Sequence, residues 1–137
     1  MPLLEDDRSV EQLLRSARSI AVVGISGKPY RDSYTIARYL LGQGYTIYPV
    51  NPGITSVLGL DCYPDLRSIG RPVDIVDVFR RPDAVLSVVN DAIAADTKTV
   101  WFQLGVAHPT ATLTALNHGL QVVQDRCIMV EHRRLVA

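Results

Sequence analysis

Four short stretches hold the residue types that could do chemistry: Gly24-Ile25-Ser26-Gly27-Lys28-Pro29 with Arg31 and Ser33, then Asn51-Pro52-Gly53, Phe79-Arg80-Arg81 and Gln103-Leu104-Gly105. In the first, the small residues let the backbone turn tightly and approach a ligand. A helix opening near Ser33 aims free N–H groups and a positive dipole end at the same place. Lys28 and Arg31 add charge there, and Ser33 can cap the helix or donate to a phosphate oxygen. The chemistry expected of this stretch is anion binding, phosphate above all. The run is neither GxxxxGK[ST] nor a full GxGxxG, which argues against a nucleotide-hydrolysing P-loop.

The other stretches narrow the ligand. NAD sites in open α/β sheets usually place an acid after the second strand to hold the ribose, and NADP sites an arginine nearby. Tyr48-Pro49-Val50-Asn51-Pro52-Gly53 has neither, and Asn51, Pro52 and Gly53 suit a plain turn as well as a ligand contact. Arg80 and Arg81 follow a strand-like run, and a guanidinium pairs phosphate bidentately and stacks on planar rings. The competing reading leaves them solvated or paired with Asp77 or Asp83. Gln103 and Gly105 stand where an adenine edge or ligand amide would be read, next to Trp101 and Phe102, whose alternation puts at least one in the core.

No nucleophile arrangement or metal-ligand spacing is recognisable, so no catalytic residue and no metal are expected. His108, His118 and His132 read as surface or capping residues. Cys127, beside Arg126, reads as a buried inert thiol rather than a reactive one. Asp74 and Asp77 read as capping or paired carboxylates around a strand.

The elements that must position these residues alternate regularly. Apolar spacing predicts helices over 7–16, 33–42, 82–95, from Pro109 to near Gly119, and 127–136, the first capped by Ser9 or Asp7. Short β-branched runs predict strands over 19–24, 46–50, 74–79, 99–104 and 120–124. Residues 51–59 read as turn, and 65–69 as a short helix or turn. This alternation predicts one α/β domain over 1–137, an N-terminal helix in 1–18 and a doubly wound, five-stranded, mostly parallel sheet in 19–137 with helices on both faces. Ligands bind such sheets at the strand carboxyl ends, where all four stretches fall.

Composition sets outer limits. The chain has 137 residues with 14 Lys plus Arg against 14 Asp plus Glu, so its formal charge is zero and no basic run addresses nucleic acid or an anionic membrane. At 47% hydrophobic and 20% charged it is globular in class. The apolar runs are strand-length, and the first residues lack the basic and apolar regions of a signal peptide. Two cysteines, Cys62 and Cys127, stand outside any CxxC, as expected in a reducing, cytoplasmic setting.

Taken together, five segments resemble the small stand-alone CoA-binding proteins, whose fold matches the CoA-binding domain of succinyl-CoA synthetase α subunits. They are Val23 to Ser26 with Lys28 to Arg31, Ser33 and Tyr34; Pro49 to Pro52; Val76 to Pro82; Val100 to Gly105; and Asp125 to Met129. The resemblance implies a Rossmann-like fold binding coenzyme A. Residues 26–29 would lie at the phosphates, with 51–53, 79–82 and 103–105 lining the rest. In the synthetase domain the second loop supplies a lysine, whereas this chain has none between Lys28 and Lys98. Arg31, Arg80 or solvent must then meet the 3′-phosphate. The synthetase's ligase activity does not carry over, because its phosphohistidine and nucleotide-grasp partner lie outside a domain of this size. Two rivals stand beside a CoA or acyl-CoA binder: an NAD(P)-binding redox sensor and an interaction subunit of a larger acyl-CoA enzyme. Oligomeric state and protein partners are left open.

Overall fold

Asp6 accepts the Ser9 N–H and so opens the first helix, α1 (Asp7–Ser16), one residue before the expected cap. In this computed structural model, which describes residues 3–106 and 108–137, α1 leads into β1 (Ser19–Val23) and α2 (Asp32–Gly42). Then follow β2 (Thr46–Val50), β3 (Ser56–Val57), β4 (Leu60–Asp61), a 3₁₀ turn (Arg67–Ile69), β5 (Ile75–Val78) and α3 (Pro82–Ala94). The chain closes with β6 (Thr99–Phe102), α4 (Pro109–Asn117), β7 (Gln121–Gln124) and α5 (Ile128–Leu135).

The five long strands form one parallel sheet in the order β2-β1-β5-β6-β7. From β1 the chain first runs outward to β2 and later returns to β5 on the other side, so the topological switch point lies between β1 and β5. The sheet separates two apolar layers. Val10 and Leu14 of α1, Ile36 and Leu40 of α2 and Ile128 of α5 cover one face with Ile20, Val22 and Trp101. Val85 and Val89 of α3 and Ala111 and Ala115 of α4 cover the other with Val76, Val78 and Phe102. Trp101 and Phe102 are both fully buried, one in each layer, and the indole N–H donates to the Arg126 carbonyl at 2.8 Å. The accessible surface, 7131 Å², matches the value of about 7,100 Å² expected for a compact monomer of this mass.

Neither sheet edge is left bare. Leu4 N–H donates to Val122 O on β7, and Tyr63 pairs with the β2 end through Pro49 O and Asn51 N–H. Pro49 is tolerated because β2 is an outer strand. The expected turn over 51–59 runs into an additional hairpin, β3–β4, whose central residues Leu58 and Gly59 both have positive φ. Asp7, Arg134, Glu131 and Arg126 form an ion network that ties α1 to α5.

Three single-residue expectations are corrected. Asp77 is fully buried in β5, and neither carboxyl oxygen has a hydrogen-bond partner, so it is neither capping nor paired. His132 is buried, bonded through Nδ1 to the Tyr39 hydroxyl and edge-on to the Tyr39 and Tyr45 rings. Cys127 is half-buried at the α5 N-cap rather than enclosed. Asp74 and His108 do act as caps. Asp74 accepts the Arg18 and Ser19 N–H groups, and His108 accepts from Ala111.

Candidate functional site

The strand carboxyl ends meet at Gly24. Its φ is +88°, and a β-carbon there would sit 2.2 Å from the Phe79 carbonyl oxygen and 2.9 Å from Arg80 Cδ. Only glycine lets the turn after β1 pass this close to the segment after β5. Gly24 N–H donates to Val50 O, and Phe79 N–H to Val23 O, which ties three strand ends together.

From this junction the loop to α2 is ordered by its own polar groups. Ser33 Oγ accepts the Ser26 N–H at 2.9 Å, and Ser26 Oγ accepts the Lys28 N–H at 3.0 Å. Arg31 is the N-cap of α2, and no side chain caps its first turn. The helix therefore presents uncapped N–H groups beside Lys28 and Arg31, both exposed and in no ion pair among the described residues. Asp32, in the same turn, offsets part of that positive charge. Among the described residues Arg80 and Arg81 are likewise in no ion pair within 4.0 Å, so the alternative partners Asp77 and Asp83 are not engaged.

Beside the loop lies a cavity of about 180 Å³ between the β1 and β2 ends, the 64–66 segment and α3. Val23, Val50, Leu66 and Val88 form its apolar floor; Arg80, Ser87, Asp65 and Asp91 stand at its polar positions. The Ser68 hydroxyl and N–H hold the Asp65 carboxyl below the usual carboxylate range, so it is ionised at neutral pH. Sequence reading missed Asp65, Ser87 and Asp91. The available signal was the 84, 87, 88, 91 spacing, one helical stripe of small and acidic residues immediately after Arg80. Asp65 follows Tyr63, which pairs with the end of β2, whereas Asp91 lies nine residues past Pro82, well down α3 from Arg80.

The remaining expected residues divide. Pro52 lines the cavity. Asn51 is occupied internally, its Nδ2 donating to Ile25 O and its Oδ1 accepting from Gly53 N–H, both at 2.7 Å. Gly27, Pro29 and Gly53 are exposed, and Ile25 is buried. Gln103 is buried, and its Oε1 accepts the Ile128 N–H at the start of α5, which gives this side chain a structural duty in place of the expected adenine edge. Leu104 is 62% exposed, and Gly105 N–H is held by Asp125 Oδ1. No group of His, Cys, Asp and Glu suited to a metal ion occurs among the described residues. No described helix is long and apolar enough to cross a membrane.

Residues 18–133 match the family model described as a CoA binding domain. An uncharacterized Bacillus subtilis protein, YneT, is 35% identical over 123 residues, spanning 90% of this chain and 91% of its own. A hypothetical protein from Pyrococcus horikoshii superposes with a TM-score of 0.94 at 39% identity, over 97% of this chain and 94% of that one. A dinucleotide forming acetyl-coenzyme A synthetase from Ca. Korarchaeum cryptofilum, solved with phosphate and ADP, matches with a TM-score of 0.71 at 29% identity, over 82% of this chain and 27% of its own.

Proposed function

The chain belongs to the CoA-binding domain family, and we propose that it binds coenzyme A or an acyl-CoA at the carboxyl ends of β1, β2, β5 and β6. One observation carries the reading: Arg80 packs against the Gly24 turn and also borders the apolar cavity, joining an uncapped helix N-terminus to a slot for a planar base. CoA is an adenosine, a diphosphate and a long amide arm, and these parts need different surroundings. The diphosphate takes the N–H groups at the start of α2, with Lys28 and Arg31. Adenine enters the cavity over Val50 and Leu66, against the Asn51–Gly53 turn. Arg80 closes over the junction, and the arm leaves across Leu104 and Gly105. The reading is of a binding protein with no residue assigned to catalysis. The cysteines are both free, which supports a reducing, cytoplasmic setting.

Titration calorimetry with CoA and with NADH tests this. CoA-dependent heat is expected, and its absence alongside clear NADH heat would reject the reading in favour of a redox-sensing dinucleotide binder. Lys28→Ala should weaken CoA by about threefold at low salt and less at high salt, because an exposed, unpaired ammonium acts through a screened field. The synthetase match, which covers only part of that chain, favours a second reading as a detached subunit of a larger acyl-CoA enzyme. Co-purification with a larger acyl-CoA enzyme is its test.

A further inference from the structure

We propose that Asn51 is a positioning residue of this site: without contacting the ligand, its carboxamide fixes the loop after β1 to the turn that walls the cavity. The inference rests on the CoA reading above and concerns how the two ends of that ligand are met at one spacing.

Every polar group of Asn51 has a partner inside the protein. Its backbone N–H donates to Tyr63 O at 2.8 Å, and its carbonyl accepts the Cys62 thiol at 3.6 Å. In the side chain, Oδ1 accepts the Gly53 N–H and shapes the turn, while Nδ2 donates to Ile25 O, both at 2.7 Å. Both ends of the carboxamide are thus fixed by the protein before any ligand arrives.

The loop has little else to hold it. Ser33 Oγ takes the Ser26 N–H, Ser26 Oγ takes the Lys28 N–H, Lys28 O takes the Arg31 N–H, and Arg31 O takes the Thr35 N–H, all within the loop and α2. Among the described residues, Asn51 Nδ2 to Ile25 O is the one hydrogen bond that joins residues 25–31 to any other segment. Apolar packing accompanies it. Ile25 is fully buried, and Ile54 lies 3.8 Å from where a β-carbon on Gly27 would stand. On the other side, Val50 and Pro52, the sequence neighbours of Asn51, both line the cavity. One side chain therefore ties the cavity wall to the loop that carries Lys28 and Arg31. An adenosine and its diphosphate have a fixed spacing, so a loop already held at that spacing spares ordering entropy when the ligand binds.

Two variants of the full chain test this. Asn51→Ala removes both side-chain bonds, and Asn51→Ser keeps a turn-forming hydroxyl but loses the amide donor. In the free protein, hydrogen exchange at the Ser26, Lys28 and Arg31 amides should speed up by about fivefold or more in either variant, with α3, α4 and β6 unchanged. Calorimetry should then show CoA weakened by about fivefold or more. Lys28→Ala supplies the readout that a contact residue would not move. Its loss of about threefold at low salt should shrink to under about 1.5-fold in the Asn51→Ala background, because a released loop no longer holds the ammonium at the phosphates. Unchanged exchange in the loop, undiminished CoA affinity in both variants, or losses that simply add to that of Lys28→Ala would overturn the inference while CoA binding stands. Absence of CoA heat from the wild type would overturn the CoA reading and the positioning role together.

Discussion

Replacing Asp77 by valine should stabilise this protein. The carboxyl lies in the centre of the sheet, between Val22 of β1 and Trp101 of β6 by register, fully buried and without a partner for either oxygen. Burial pushes its pKa well above the ordinary carboxylate value, so it is protonated where an unfolded Asp would be ionised. A buried, unsatisfied polar group costs about 1–3 kcal/mol. Valine removes that cost, suits a strand, and has one heavy atom fewer, so it adds no crowding. With an unfolding entropy of about 2.1 cal/mol/K per residue, this chain gains about 0.3 kcal/mol per degree, so the expected rise in Tm is about 3–10 °C. Asp77→Asn keeps the shape but cannot titrate, and it separates polarity from charge. The folded pKa is raised, so wild-type stability is full below 3.8, the unfolded value, and is lost as pH rises toward the folded pKa, at up to about 1.4 kcal/mol per unit. Calorimetric melts of wild type, Asn and Val variants at pH 4 and pH 8 measure this directly, because other carboxylates cancel in the differences. A valine variant melting below wild type at pH 8, or a wild-type-to-Asn gap equal at both pH values, would refute the reasoning.

Three further outcomes follow from named contacts. Burial and then Arg15 lower the His132 pKa, so its contribution is whole above pH 6.5 and is lost as pH falls through the lowered value; His132→Phe should flatten the stability curve between pH 6.5 and 5 in denaturant titrations. Gly24→Ala combines positive φ with a contact of 2.2 Å against backbone, and should cost about 3 kcal/mol and abolish CoA heat, read by melting and calorimetry together. Asp74→Ala should cost about 1–2 kcal/mol, because the Arg18 and Ser19 N–H groups lose their acceptor, whereas Lys98→Ala, at the exposed end of a 3.6 Å ion pair, should cost under about 0.5; equal losses in urea melts would reverse that ranking.

The alternation of strand and helix was legible because parallel strands buried on both faces read as unbroken β-branched runs, and each helix repeats its apolar residues every three or four positions. Strand ends were read one or two residues long at Gly24, Phe79 and Leu104, where apolar character continues after the ladder stops. The β3–β4 hairpin was invisible because its strands are two residues long and its turn begins with Leu58, not the Asn or Asp that announces such turns. The ordering of the loop after β1 was legible in kind, since the glycines and serines that shape it are local in sequence. The cavity was not, because it is assembled from Val23, Leu66 and Asp91, which are brought together only by the return from β2 to β5. Asp77 and His132 show a different limit. Their neighbours in sequence say nothing of whether a partner waits elsewhere in the fold: among the described residues Asp77 has none, and His132 has Tyr39, 93 residues away.

The zero net charge gains meaning from which charges are paired. Arg15 pairs with Glu11, Lys98 with Asp74, and Arg126 and Arg134 with Asp7 and Glu131, all away from the α2 N-terminus. Lys28, Arg31, Arg80 and Arg81 have no such partners among the described residues, and all four fall on two loops joined at Gly24. Pairing elsewhere thus leaves a local excess of positive charge in an electroneutral molecule, reaching about one Debye length at physiological salt. That range covers a diphosphate but not an extended polyanion.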